Sequence, residues 1–172
     1  CELKFSAEKV TDNWTSIAPE AVFTCGDSRH TVKGFYSGEG EIKVRFLPDK
    51  AGTWSYEVGE PVNAKGEITV DEALEGSHGL VKPVETHFEY QDGTLYHPFG
   101  TTVYALMHQD RALVETTFET LKDAPFNKVR LCVFPKHYDF NHNEPDLYAF
   151  EKNEDGSWDV SRPCLAFWDY MD

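Results

Sequence analysis

Up to about residue 70 the chain alternates apolar and polar positions with a period of two, the pattern of strands that bury one face. In Glu41–Leu47 the residues Ile42, Val44 and Phe46 fall on one side while Lys43 and Arg45 take the other. Thr53–Val58 repeats this with Trp54, Tyr56 and Val58 inward, and Pro48, Asp49 and Gly52 between the two runs supply loop chemistry. Further short strands are predicted over Glu2–Ala7, Glu20–Thr24, Thr31–Tyr36 and Gly66–Val70. Together they predict a small antiparallel β-sandwich over residues 1–72. Gly34–Gly40 reads as a turn, because no lysine or helix start follows Gly40 as a phosphate loop requires.

The alternation is lost over residues 71–86, which read as a connection. Asp92-Gly93 between two strand-like runs then signals a hairpin, so residues 73–98 are predicted as linker and hairpin. Beyond this the period changes again. Pro98–Leu106 reads as a strand, and Arg111–Lys122 places Val114, Phe118 and Leu121 on one helical stripe with Leu113 beside it. Asp110 stands as N-cap and Pro125 bars continuation. Asn127–Phe134 is a second strand, so the three elements predict a βαβ unit with a parallel strand pair. Residues 135–160 are polar and without period. Ser161 as cap and Pro163 in the first turn then predict a closing helix.

Sixteen Lys and Arg against thirty Asp and Glu leave a formal net charge of −14, spread along the chain. Such a surface repels nucleic acid and anionic membranes. No apolar run approaches the roughly eighteen residues of a membrane helix, and the N-terminus lacks a signal-peptide layout. Cys1, Cys25, Cys132 and Cys164 have no short spacing that suggests zinc or a redox pair. These features predict a cytoplasmic protein, or a secreted one if a leader has been removed, with neither cofactor nor metal. A calcium-loop reading of Asp139–Phe150 fails, because Glu144 takes the place of the glycine and Phe150 that of the terminal glutamate. Asn13-Trp14-Thr15 fits a glycosylation acceptor, a motif short enough to arise by chance.

Three longer stretches carry a family likeness. Residues 34–58 resemble the immunoglobulin-like sandwich that precedes the catalytic barrel in a group of bacterial glycoside-hydrolase-like proteins, a group defined by architecture more than by activity. Residues 76–109 are similar to the junction and first barrel strand of that group, and residues 120–151 to its first helix, second strand and following loop. The resemblance implies the first β/α units of an incomplete TIM barrel over residues 99–172, and a carbohydrate substrate. It also implies a retaining mechanism with two glutamates about 5–5.5 Å apart. Those glutamates stand at the ends of the fourth and seventh strands of such barrels, so no catalytic residue is assigned in this chain.

Candidate binding residues follow from the strand ends. The aliphatic set Val129, Leu131 and Val133 is expected to face helices, which turns Arg130 inward, where it would need a carboxylate partner. The resemblance implies that Arg130 supports the nucleophilic glutamate, and a structural ion pair is the alternative. Lys136 and His137 lie past the carboxyl end of this strand, as sugar-binding residues or as a solvated loop pair. Tyr104, His108 and Gln109 follow the first strand, and Tyr104 has core packing as an equal role. A non-catalytic glycan- or protein-binding sandwich is the competing function.

Overall fold

The computed structural model describes residues 1–10, 14–134 and 139–172. Asn13, Lys136 and His137 lie outside the described residues. The chain divides into two compact units, Cys1–Ser77 with Lys152–Leu165, and His78–Glu151 with Ala166–Asp172. Strands dominate, in several antiparallel sheets, and among the described residues there are two α-helices.

In the first unit, β1 (Glu2–Ser6), β5 (Glu41–Arg45) and β4 (Phe35–Gly38) form one antiparallel sheet in the order β1-β5-β4. The second sheet has the order β3-β2-β6-β7, from β2 (Glu20–Cys25), β3 (Ser28–Lys33), β6 (Gly52–Val58) and β7 (Ala64–Val70). The core between them draws Ala21 and Phe23 from β2, Val44 from β5, Phe46 just after it, and Trp54 and Val58 from β6. Phe23 stacks on Phe46 at 4.1 Å between centroids, and Phe46 meets Trp54 edge-on at 5.0 Å. The inward alternation expected for Ile42, Val44, Phe46, Trp54 and Val58 is the one observed, while Tyr56 is only half-buried.

One predicted strand, Thr31–Tyr36, is in fact two. The chain leaves the four-stranded sheet at Gly34 and joins the three-stranded one as β4. Gly34 donates its N–H to the Pro19 carbonyl at 2.8 Å. A Cβ there would stand 2.9 Å from both the Lys43 carbonyl oxygen and Val44 Cγ2. The turn expected over Gly34–Gly40 narrows to Gly38–Gly40, where Glu39 takes a φ of 49°.

The second unit opens with β8 (Val81–Val84), β9 (His87–Tyr90) and β10 (Leu95–Tyr96), a three-stranded meander where a hairpin is expected. Gly93 takes a φ of 87° in the Asp92-Gly93 turn. Asp92 fastens this turn, since its Oδ1 accepts from Thr94 N at 2.9 Å and its Oδ2 lies 2.7 Å from His78 Nδ1. His78 first, and then Thr94, lower the Asp92 carboxyl from 3.8 to about 2. A carboxyl whose folded value is depressed stabilises the fold fully above its unfolded value, and the contribution is lost as pH falls through the folded one. A carboxyl 13C titration of Asp92 should therefore have its midpoint near 2, and Asp92→Asn should remove this step from acid unfolding. A midpoint at the ordinary aspartate value would show that the His78 contact does not persist in solution.

β11 (Gly100–Thr102) and β12 (Lys128–Arg130) pair in parallel, and α1 (Arg111–Lys122) lies between them in sequence. Asp110 caps α1 as predicted, accepting from Leu113 N at 2.9 Å. Of the predicted stripe only Val114 is buried, because a two-stranded sheet covers little of the helix. Both strands are shorter than expected. Backbone bonds nevertheless continue the pairing, from Val103 N to Arg130 O at 2.8 Å and from Cys132 N to Tyr104 O at 3.2 Å.

At the other end of this pair Asn127 ties three stretches together. Its Oδ1 accepts from Phe99 N and Tyr96 Oη at 2.9 and 3.2 Å, and its Nδ2 donates to the His97 carbonyl at 2.8 Å.

The polar stretch after β12 contains two further strands, β13 (Phe150–Lys152) and β14 (Trp158–Pro163), which pair with each other. The helix α2 begins at Leu165, later than Ser161 and Pro163 predict. Both Ser161 N and Ser161 Oγ donate to Asp159 Oδ1, so the serine closes a turn within the strand instead of capping a helix.

Candidate functional site

In parallel sheets the loops that follow the carboxyl ends of the strands build the sites. In the second unit these are the segment after β11, residues 103–110, and the segment after β12. The first turns straight into a 3₁₀ helix at Leu106–His108, and all three residues of that helix are buried. This anchors His108 at 3 % exposure and brings the half-buried Gln109 out at its end.

Tyr104 and Arg130 meet at the carboxyl end of the pair. The Arg130 guanidinium lies 5.0 Å from the centre of the Tyr104 ring. This is a cation–π arrangement, with the arginine exposed and the tyrosine half-buried.

Gln109 reaches the segment after β12. Its Nε2 donates to Asn141 Oδ1 at 3.0 Å, and its Oε1 accepts from Asn143 Nδ2 at 3.3 Å. Asn141 is 9 % exposed. A small cavity of about 10 Å³ beside Gln109 is lined also by Met107, Arg111, Asp146, Leu147 and Tyr170. The Arg111 guanidinium lies 4.1 Å from the centre of the Tyr170 ring. Tyr148 donates its hydroxyl to Glu144 at 2.8 Å, and the carboxylate pushes the phenol's pKa up.

The structure thus joins Arg130 to Tyr104, and Gln109 to two asparagines that had figured only in the rejected calcium loop. A signal for them was present: an Asn-x-Asn pair in the polar stretch that follows a strand of a β/α unit. Their partner Gln109 stands 32 residues before Asn141, so the pairing itself has no local signature.

The first unit has a separate, open depression of about 750 Å³ on the outer face of the four-stranded sheet. Thr24, Arg29, Ser55, Glu57, Lys65 and Glu67 line it. Val22, Tyr56 and Gly66 also border it, and the Tyr56 ring packs with Phe5 and Phe23 on the core side.

Residues 1–60 match a family model described as "Domain of unknown function (DUF5060)". A comparison with curated proteins finds none that matches. Among solved structures, the chain is similar to a crystal structure from Bacteroides vulgatus ATCC 8482 named a "putative glycoside hydrolase". The two share 39% identity with a TM-score of 0.86 over 99% of this chain. The chain spans 36% of the length of that neighbour. The neighbour bears the kind of name that the sequence resemblance implied.

Proposed function

We propose that this chain is the N-terminal part of a retaining glycoside hydrolase. On this reading it comprises an immunoglobulin-like accessory sandwich followed by the opening β/α units of a (β/α)8 barrel. The observation that carries the reading is the likeness over 99% of the chain, at 39% identity, to the Bacteroides vulgatus protein of that name. The parallel β11–β12 pair with α1 between its strands supports the barrel assignment. So do the apolar side chains that α1 and β12 leave uncovered, Leu113, Phe118 and Val129. A barrel sheet that continues past two strands would cover them.

The proposal gives each candidate residue a task. Arg130, held over Tyr104 at the carboxyl end of β12, supplies positive charge that favours an ionised glutamate nucleophile. His108, buried at 3 % exposure, backs Gln109, which faces the substrate, and Lys136 and His137 supply hydroxyl-binding groups. The catalytic carboxylates come from other strands of the barrel.

The test is hydrolysis of a panel of aryl glycosides by a polypeptide that carries this chain on through the rest of the barrel. Release of the aryl group is expected from that polypeptide, and none from the 172-residue chain. Silence of the longer polypeptide across the panel would overturn the hydrolase reading, and activity in the short chain would overturn the division of labour. A second reading, a binding module, draws on the polar depression of the four-stranded sheet.

A further inference from the structure

The three-stranded meander of the second unit has two unlike sides. The register sets Pro83 and Tyr96 against Phe88, and Val81 against Tyr90, so these five residues share one side. Lys82, Val84, His87, Glu89 and Leu95 take the other. On the first side Tyr96 meets Phe88 and Tyr90 edge-on, at 6.5 and 5.3 Å between centroids. This side is apolar and aromatic throughout, yet Val81, Pro83 and Phe88 are exposed. A sheet with one apolar face buries that face against another element.

Asn127 indicates which element that is. Its Oδ1 accepts from Tyr96 Oη and Phe99 N, and its Nδ2 holds the His97 carbonyl, so the aromatic side of the meander is tied to the amino end of the β11–β12 pair. Phe99 and Phe126, just ahead of the two strands, meet there at 5.2 Å between centroids. Parallel barrels build their sites at the opposite, carboxyl end, which argues against a sugar as the occupant of this face. A barrel of eight strands is filled by side chains, so its amino end presents an apolar floor. We propose that Val81, Pro83, Phe88, Tyr90 and Tyr96 form a plug for the amino end of the barrel, seated against the amino ends of strands that lie beyond this chain. This rests on the barrel of the hydrolase reading and assigns the meander a partner within it. The similar solved structure is long enough to supply such strands, since this chain spans 36% of it.

Phe88→Ser and Leu95→Ser provide the test, in a polypeptide that carries the chain on through the rest of the barrel. The two side chains are alike in exposure here, at 46% and 54%, but stand on opposite sides of the meander. Phe88→Ser is expected to lower the Tm by about 5 °C or more, and Leu95→Ser by about 1 °C or less. Where a variant does not fold, hydrogen exchange of the wild-type protein decides. The backbone amides of residues 81–96 should exchange about tenfold or more slowly in the longer polypeptide than in the 172-residue chain.

Equal Tm losses for the two variants, or equal exchange in the two polypeptides, would overturn the plug. So would protection that rises with protein concentration, which would give the face to a second copy of the chain. Release of the aryl group is read separately. A protected meander in a polypeptide that hydrolyses nothing would sink the hydrolase reading and leave the plug standing, whereas hydrolysis with an exposed meander would sink the plug only.

Discussion

Trp54→Ala is expected to destabilise the first unit strongly. Trp54 is fully buried in the strand β6, packs edge-on against Phe46, and donates its indole N–H to the Lys50 carbonyl at 3.1 Å. Its truncation removes the largest side chain of the core and strands that carbonyl. Phe or Trp to Ala in a core costs about 3–5 kcal/mol, against roughly 5–15 kcal/mol for a whole domain. Thermal unfolding followed by circular dichroism should show a Tm lowered by about 10 °C or more. Trp54→Phe retains the ring and should lose much less. A Trp54→Ala protein with wild-type Tm would mean that this core does not carry the unit's stability.

Gly34→Ala is expected to have the next largest effect, for a different reason. The added Cβ would meet the Lys43 carbonyl oxygen at 2.9 Å, and a backbone carbonyl within a paired strand cannot swing aside as a flexible side chain can. Overpacking of this kind costs about 1–3 kcal/mol. Gly59→Ala provides the comparison, since its Cβ would lie an ordinary 3.6 Å from the Glu20 carbonyl oxygen. Equal urea midpoints for the two variants would show that the close approach at Gly34 relaxes freely.

These two positions show what the sequence made legible and what it concealed. Trp54 could be placed inside from period two alone, because its face is set by its neighbours along one strand. Gly34 could not, because the run around it is β-like on both sides, and the change of sheet is decided by which strand approaches it from 9 or 10 residues further on. The Asp110 cap was readable, since its partner Leu113 is three residues away. Ser161 misled, because Asp159 competes for the same hydroxyl two residues earlier. The candidate site divides along the same line. Tyr104, His108, Gln109 and Arg130 stand out as polar or aromatic residues at strand ends, whereas Asn141 and Asn143 acquire meaning only from a partner over 30 residues back in the chain.

The first unit also sets a rule for anyone who would dissect the protein. Its sequence is discontinuous, since Lys152–Leu165 belongs to it although the second unit intervenes. The family model stops at residue 60, and cutting after Ser77 would discard β14, which packs against the 3₁₀ turn at Trp14–Ser16. Leu165, whose Cδ1 closes over Gly38, would be lost with it. A truncation chosen from the domain match alone would therefore take away part of the sandwich's own covering, and a failed expression would say nothing about the sandwich itself. An excised first unit needs residues 152–165 grafted back through a linker, in the manner of a circular permutant.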